Sequence, residues 1–148
     1  MNIEDVIAKE IEKGNVNVIK GKTIKIKYFD KEIDKVEKIS VDGSVGLRAA
    51  KDISLKAGET VLIPLGVDIT IPKGYEAILL PCFDTFEKYA IFPIISSKTN
   101  NNFYNIQNGQ WFFSAFALKD TTIFKNDKIC DLRINGVRPP IKFIEIED

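Results

Sequence analysis

The chain contains no histidine, and that absence removes more chemistry than any other feature of its 148 residues. Histidine is the side chain that titrates nearest neutrality, so the commonest general base and a principal zinc ligand are both gone. A base in this protein must be a carboxylate, a lysine, a tyrosine or a cysteine. Only two cysteines occur, Cys82 and Cys130, and their separation matches no metal-ligand spacing. Two reduced thiols packed in or near strands account for them. Net charge is also lacking: 21 basic residues balance 21 acidic ones, so no long-range field draws the chain to nucleic acid or to a membrane surface. No apolar run approaches the roughly 18 residues of a spanning helix. The opening segment, MNIEDVIAKEIEKGN, is too charged for a secretory signal. These features predict a cytoplasmic protein with neither nucleic acid nor membrane as a partner. The last absence is local. Between Glu87 and Asp120 there is no aspartate or glutamate, so no carboxylate chemistry can come from residues 88–119.

What is present fits a single domain, since a chain of this length fills one core and is short for two. Residues 2–13 carry Ile3, Val6, Ile7 and Ile11 at helical spacing, with Glu4 and Asp5 in the first turn and Gly14 past the end. They predict a short amphipathic helix whose apolar face docks on its own subunit or on a partner. From Thr23 the period changes to two, Ile24, Ile26 and Tyr28 alternating with Lys25, Lys27 and Phe29. Ala57-Gly58, Pro72-Lys73-Gly74, Asn108-Gly109 and Lys125-Asn126-Asp127 punctuate the rest of the chain. Apolar runs at Val61 to Leu65 and Ile78 to Leu80 suit strands buried on the inner faces of a sandwich. No internal repeat or low-complexity linker interrupts them. Pattern alone predicts an all-β sandwich or jelly roll, with residues 1–22 as a helical extension and 23–148 as the β domain.

Three stretches carry a resemblance: TIKIKYFDKEIDKVEKIS at 23–40, GLRAAKDISLKAGETVLIPLGVDITIPKGYEAILLPC at 46–82, and QWFFSAFALKDTTIFKNDKICDLRI at 110–134. They resemble the trimeric dUTPases in the form found in low-GC Gram-positive bacteria and their phages. The register runs without a gap from Pro81 to Ile134. The resemblance implies a distorted jelly roll assembled as a homotrimer with sites between subunits. It implies hydrolysis of dUTP to dUMP and pyrophosphate, carried by five motifs.

Each motif departs from the family pattern. The aspartate of the first, which helps to hold magnesium through water, falls on Gly46; Asp42 is about 13 Å away along a strand. The Pro-Arg-Ser-Ser of the second, which serves the phosphates, reads Pro81-Cys82-Phe83-Asp84. In the third, the stretch that reads uracil and supplies the catalytic base runs from Ile95, and Asn101 stands at the base position. An amide takes no proton near neutrality, a loss of about 10² to 10⁴ in rate. Tyr104 matches the ring that family members place against the deoxyribose, though packing would also account for it. In the fourth, Asp131 replaces a glutamine that helps the phosphates. The glycine-rich arm of the fifth has no counterpart before Asp148.

Charge weighs these changes. A carboxylate about 5 Å from a phosphate costs about 3 kcal/mol at an effective dielectric near 20, and the pocket loses an arginine while gaining Asp84 and Asp131. The sequence therefore predicts a dUTPase-fold protein without dUTP hydrolysis, acting as a binding or regulatory module. Its vestigial pocket comprises Gly46, Cys82, Phe83, Asp84, Ile95, Asn101, Tyr104 and Asp131, with no catalytic residue among them. An acidic, partly apolar groove of Cys82, Phe83, Asp84 and Asp131 suits a protein partner with basic side chains. Sequestration of a nucleotide is a second form of the same expectation. No cofactor is expected; magnesium enters only in the alternative of a rebuilt nucleotide diphosphatase, with Asp84 and Asp131 converging on the ion. A further alternative is the inactive subunit of a mixed dUTPase trimer.

Overall fold

A computed structural model describes residues 23–36, 44–95, 102–136 and 140–147. The expected helix at 2–13, Asp42 and Asn101 lie outside the described residues. Among the described residues eleven short strands run in order: β1 Lys25–Tyr28, β2 Ser44–Arg48, β3 Ile53–Leu55, β4 Thr60–Pro64, β5 Val67–Thr70, β6 Tyr75–Pro81, β7 Ile91–Pro93, β8 Tyr104–Gln107, β9 Gln110–Ala117, β10 Thr121–Ile123 and β11 Lys128–Gly136. One helical turn, α1 Thr85–Tyr89, separates β6 from β7.

The strands form antiparallel sheets. In one, β11 lies between β2 and β6. In another, β9 takes β4 along one edge and divides its other edge between β8, opposite Gln110–Phe113, and β7, opposite Ala115–Ala117. Two-stranded ribbons, β1 with β5 and β3 with β10, complete the body. The alternation expected from Thr23 onward shows in burial. Val45 and Leu47, Ala77 and Leu79, and Cys130 and Leu132 point inward to meet Ile63, Leu65, Trp111, Phe113 and Ala115 in a continuous apolar core.

The turns fall where glycine and asparagine placed them. Asn108 and Gly109 both adopt positive φ, 49° and 86°, and join β8 to β9 with Gln107 opposite Gln110. A two-residue hairpin needs that pair of conformations, because its twist then matches the strands. Asn126, φ 75°, turns the chain from β10 into β11. This turn is anchored: Lys125 Nζ lies 2.8 Å from both Asp30 Oδ2 and Glu32 Oε2. The Asp34 N–H donates to Asn126 Oδ1 and Arg48 donates to the Asn126 carbonyl. The loop after β1 thereby clasps the entry to β11, the strand on which the candidate site is built.

Candidate functional site

β11 carries a bulge that decides the site's geometry. Lys128 lies opposite Arg48 and Cys130 opposite Leu47, so Ile129 is skipped by β2, and the ladder to β6 begins only at Cys130. Ile129 and Cys130 are consecutive and both fully buried. On an unbroken strand, residues three apart point to opposite faces. The extra residue puts Lys128 and Asp131 on the same outer face, where Lys128 Nζ stands 3.6 Å from Asp131 Oδ1.

Across the ladders Asp131 faces Gly46 on β2 and Leu80 on β6. Gly46 is where the lysine crosses: a Cβ built there would collide with Lys128 Cε and come 3.0 Å from Cδ and 3.2 Å from Nζ. The Lys128 stem thus fills the volume that a side chain at position 46 would need.

The strand β6 ends in Pro81, and the chain turns through Cys82, Phe83 and Asp84 into α1. Thr85, itself buried, donates its hydroxyl to the Ile129 carbonyl at 2.9 Å, tying the helix to the bulge. Burial, then the charge of Asp131, pushes the Cys82 thiol up to about 11; Lys128 and Asp84 also act on it. Cys130 is held well above the ordinary thiol range by burial. Burial and a hydrogen bond with Asp127 push Tyr89 up to about 12. None of these groups is anionic at neutral pH, so none is an activated nucleophile or base. Phe83, by contrast, is 100% exposed. Asp84, at the N-terminal cap of α1, makes no side-chain capping bond and is likewise exposed.

The structure thus brings Gly46, Cys82, Asp84 and Asp131 into one electrostatic neighbourhood, with Phe83 at its rim. It puts Tyr104 on the other sheet, in β8, and Ile95 on no strand. Ile95 is exposed just past β7. Tyr104 opens β8 half-buried, its ring stacked on Trp111 at 4.3 Å between centroids and 18° between planes. Lys128 is the residue that motif reading passed over. Its ammonium offsets Asp131, so the groove is less acidic than Asp84 and Asp131 imply together. The reason is the bulge, which period-two counting cannot register.

No family model matches the chain. It is 38% identical over 124 residues to the SPbeta prophage-derived deoxyuridine 5'-triphosphate nucleotidohydrolase YosS of Bacillus subtilis strain 168, covering 84% of this chain and 87% of that protein. The chain belongs to the dUTPase family. Solved structures agree in fold. A point mutant of the dUTPase from phage phi11 of S. aureus superposes with a TM-score of 0.64 at 15% identity, covering 86% of this chain and 98% of that one. A point mutant of the Staphylococcus bacteriophage 80alpha dUTPase, with dUpNHpp, gives 0.62 at 16% identity, covering 86% and 90%.

For a dUTPase, the residues at the first motif do not fit a divalent ion. Gly46 offers no donor side chain, and the space above it holds an ammonium. Among the described residues no three His, Cys, Asp or Glu gather in a way that could hold a metal. No helix among the described residues is long and apolar enough to cross a membrane.

Proposed function

We propose that this member of the dUTPase family has lost dUTP hydrolysis and serves as a binding or regulatory module whose docking face centres on Phe83 and Asp84. The observation that carries this reading is the fully exposed Phe83 ring followed by an exposed Asp84 that makes no capping bond, at the two small-donor positions that come after the arginine of the family pattern, itself replaced by Cys82. An exposed aromatic next to a free carboxylate suits a guanidinium or ammonium that lies on the ring and pairs with the acid. It suits a triphosphate poorly. Raised thiol and phenol pKa values beside it, with Asn101 at the base position, support the loss of turnover. A regulatory role has a precedent among its structural neighbours: phage 80alpha dUTPases are described as controlling the transfer of virulence genes by a G protein-like mechanism.

A homotrimer is part of the proposal. Residues 141–147 follow the last strand with Ile141, Phe143, Ile144 and Ile146 all exposed, an arrangement that another copy would cover.

Titration calorimetry with dUTP and magnesium is the test, since one trace reports both binding and turnover. The expected trace is silent at high micromolar dUTP. Sustained turnover heat would overturn the proposal in favour of a rebuilt diphosphatase, and binding heat without turnover would favour nucleotide sequestration. Masses measured alone and with a complete dUTPase separate a homotrimer from a mixed trimer. An arginine-rich peptide should bind the chain and lose affinity in Phe83→Ala, in Asp84→Ala and with added salt.

A further inference from the structure

We propose that the tip of the β8–β9 hairpin is a self-modification site, where Asn108 loses its side-chain amide through a cyclic imide with the Gly109 nitrogen and becomes a carboxylate on a turn already packed against Asp68. The chain contains two Asn-Gly pairs, Asn108-Gly109 and Asn135-Gly136. In such a pair the backbone nitrogen of the glycine attacks the asparagine Cγ, and the missing Cβ leaves both the approach and the backbone rotation open. A bond forms from that nitrogen to Cγ. The bond from Cγ to the side-chain nitrogen breaks, and ammonia leaves with the glycine N–H proton. Water then opens the ring at either carbonyl, giving aspartate or isoaspartate, with nothing oxidised or reduced. The fold treats the two pairs differently. Asn135 and Gly136 lie in the ladder opposite Glu76 and Tyr75, so attack there must first open β11 from β6. Asn108 is exposed, and the β8 ladder ends at Gln107 opposite Gln110, with residues 108 and 109 outside it as the whole of the loop. The surroundings of the tip give the change a consequence. A Cβ placed on Gly109 would lie 2.9 Å from Asp68 Oδ2 and 3.6 Å from Phe29 Cζ, so the new charge arrives where a carboxylate already sits. Isoaspartate also lengthens the main chain by one atom, in a loop whose length sets the register of β8 on β9. β8 opens with Tyr104, whose ring stacks on Trp111, so the modification loosens the hairpin that holds this pair.

The inference is independent of what docks at Phe83 and is tested on the full chain without any partner or nucleotide. Purified protein is held in warm, mildly alkaline buffer and mapped by peptide mass spectrometry, with isoaspartate counted by protein isoaspartyl methyltransferase. Conversion at 108 should run at least about tenfold faster than at 135, since each ~1.4 kcal/mol needed to open a ladder is a factor of about ten. In urea the two pairs should convert at similar rates, because the sheet that separates them is gone. Folded protein that converts at 108 no faster than at 135 overturns the inference. Emission from Trp111, the chain's single tryptophan, should shift in step with conversion at 108. Fresh Asn108→Asp protein, which carries the carboxylate from the start, should show part of that shift. Emission that stays fixed while 108 converts overturns the link from the tip to Tyr104 and Trp111.

Discussion

Replacing Thr85 by valine probes the joint that holds the proposed docking face in place. Thr85 is 1% exposed, and its hydroxyl donates to the Ile129 carbonyl at 2.9 Å. Ile129 has no cross-strand partner in either ladder, because the bulge skips it on the β2 side and the β6 ladder begins only at Cys130, so this hydroxyl answers a buried acceptor that the sheet leaves over. Valine matches the shape of threonine and deletes the hydroxyl, and with it the hydrogen bond to Cys82 as well as the one to Ile129. A buried acceptor left unsatisfied costs about 1–3 kcal/mol, against a net gain of about 1 kcal/mol for an average hydrogen bond. For a chain of this size each kcal/mol moves Tm by about 2–4 °C, so Thr85→Val should melt about 2–12 °C below wild type. Thr85→Ser keeps the donor and loses one methyl, and should recover part of that difference. Urea denaturation gives the stability, and amide exchange gives the location: residues 83–90 should exchange faster while β9 is unchanged. Affinity for an arginine-rich peptide should fall although neither Phe83 nor Asp84 has been altered. A valine variant within about 0.3 kcal/mol of wild type, inside the usual scatter for surface substitutions, would refute the claim that this bond carries the joint.

Stability should fall as pH rises from about 9 towards 11, through Cys82. Its thiol is pushed up to about 11 in the folded chain against an ordinary value of 9.0, so the unfolded state releases its proton first and is favoured across that window; Cys82→Ser should lessen the slope, Cys130 supplying part of what remains, and an unchanged slope would refute it. Tyr104→Ala should cost about 1–3 kcal/mol through loss of the ring stacked on Trp111, and Tyr104→Phe clearly less. Trp111 is the chain's single tryptophan, so its fluorescence reports both, and equal losses would show that the hydroxyl rather than the stack matters. Gly46→Ala should change stability by less than about 1 kcal/mol. The lysine tip can move aside at the cost of an exposed ion pair worth about 0–1 kcal/mol, and alanine regains about 0.5–1 kcal/mol over glycine within a strand. A loss above about 2 kcal/mol in urea would mean that Lys128 is fixed far more firmly than a half-exposed side chain should be.

Much of the architecture was legible because strands declare themselves through local chemistry. Period-two burial in β2, β6 and β9, and the turns at Gly58, Gly74, Asn108-Gly109 and Asn126, follow from side-chain alternation and from residues that tolerate positive φ. Gly46, Cys82, Asp84 and Asp131 were grouped through family register rather than through physics. Residues so widely scattered along the chain carry no local signal of proximity. The part Lys128 plays was not legible, because three-residue spacing on a strand predicts opposite faces and nothing local to Lys128-Ile129-Cys130 announces a bulge.

The sequence alone determined the all-β class, the turns, the lack of histidine chemistry and the empty acidic stretch from 88 to 119, since composition and short-range periodicity are properties of the chain itself. Only the tertiary structure decided that Lys128 crosses Gly46 to reach Asp131, that Thr85 caps the bulge, and that Phe83 stands fully in solvent. Each of those depends on which strands lie side by side and on where one extra residue interrupts a ladder, and pairing between distant segments is settled only when the core closes.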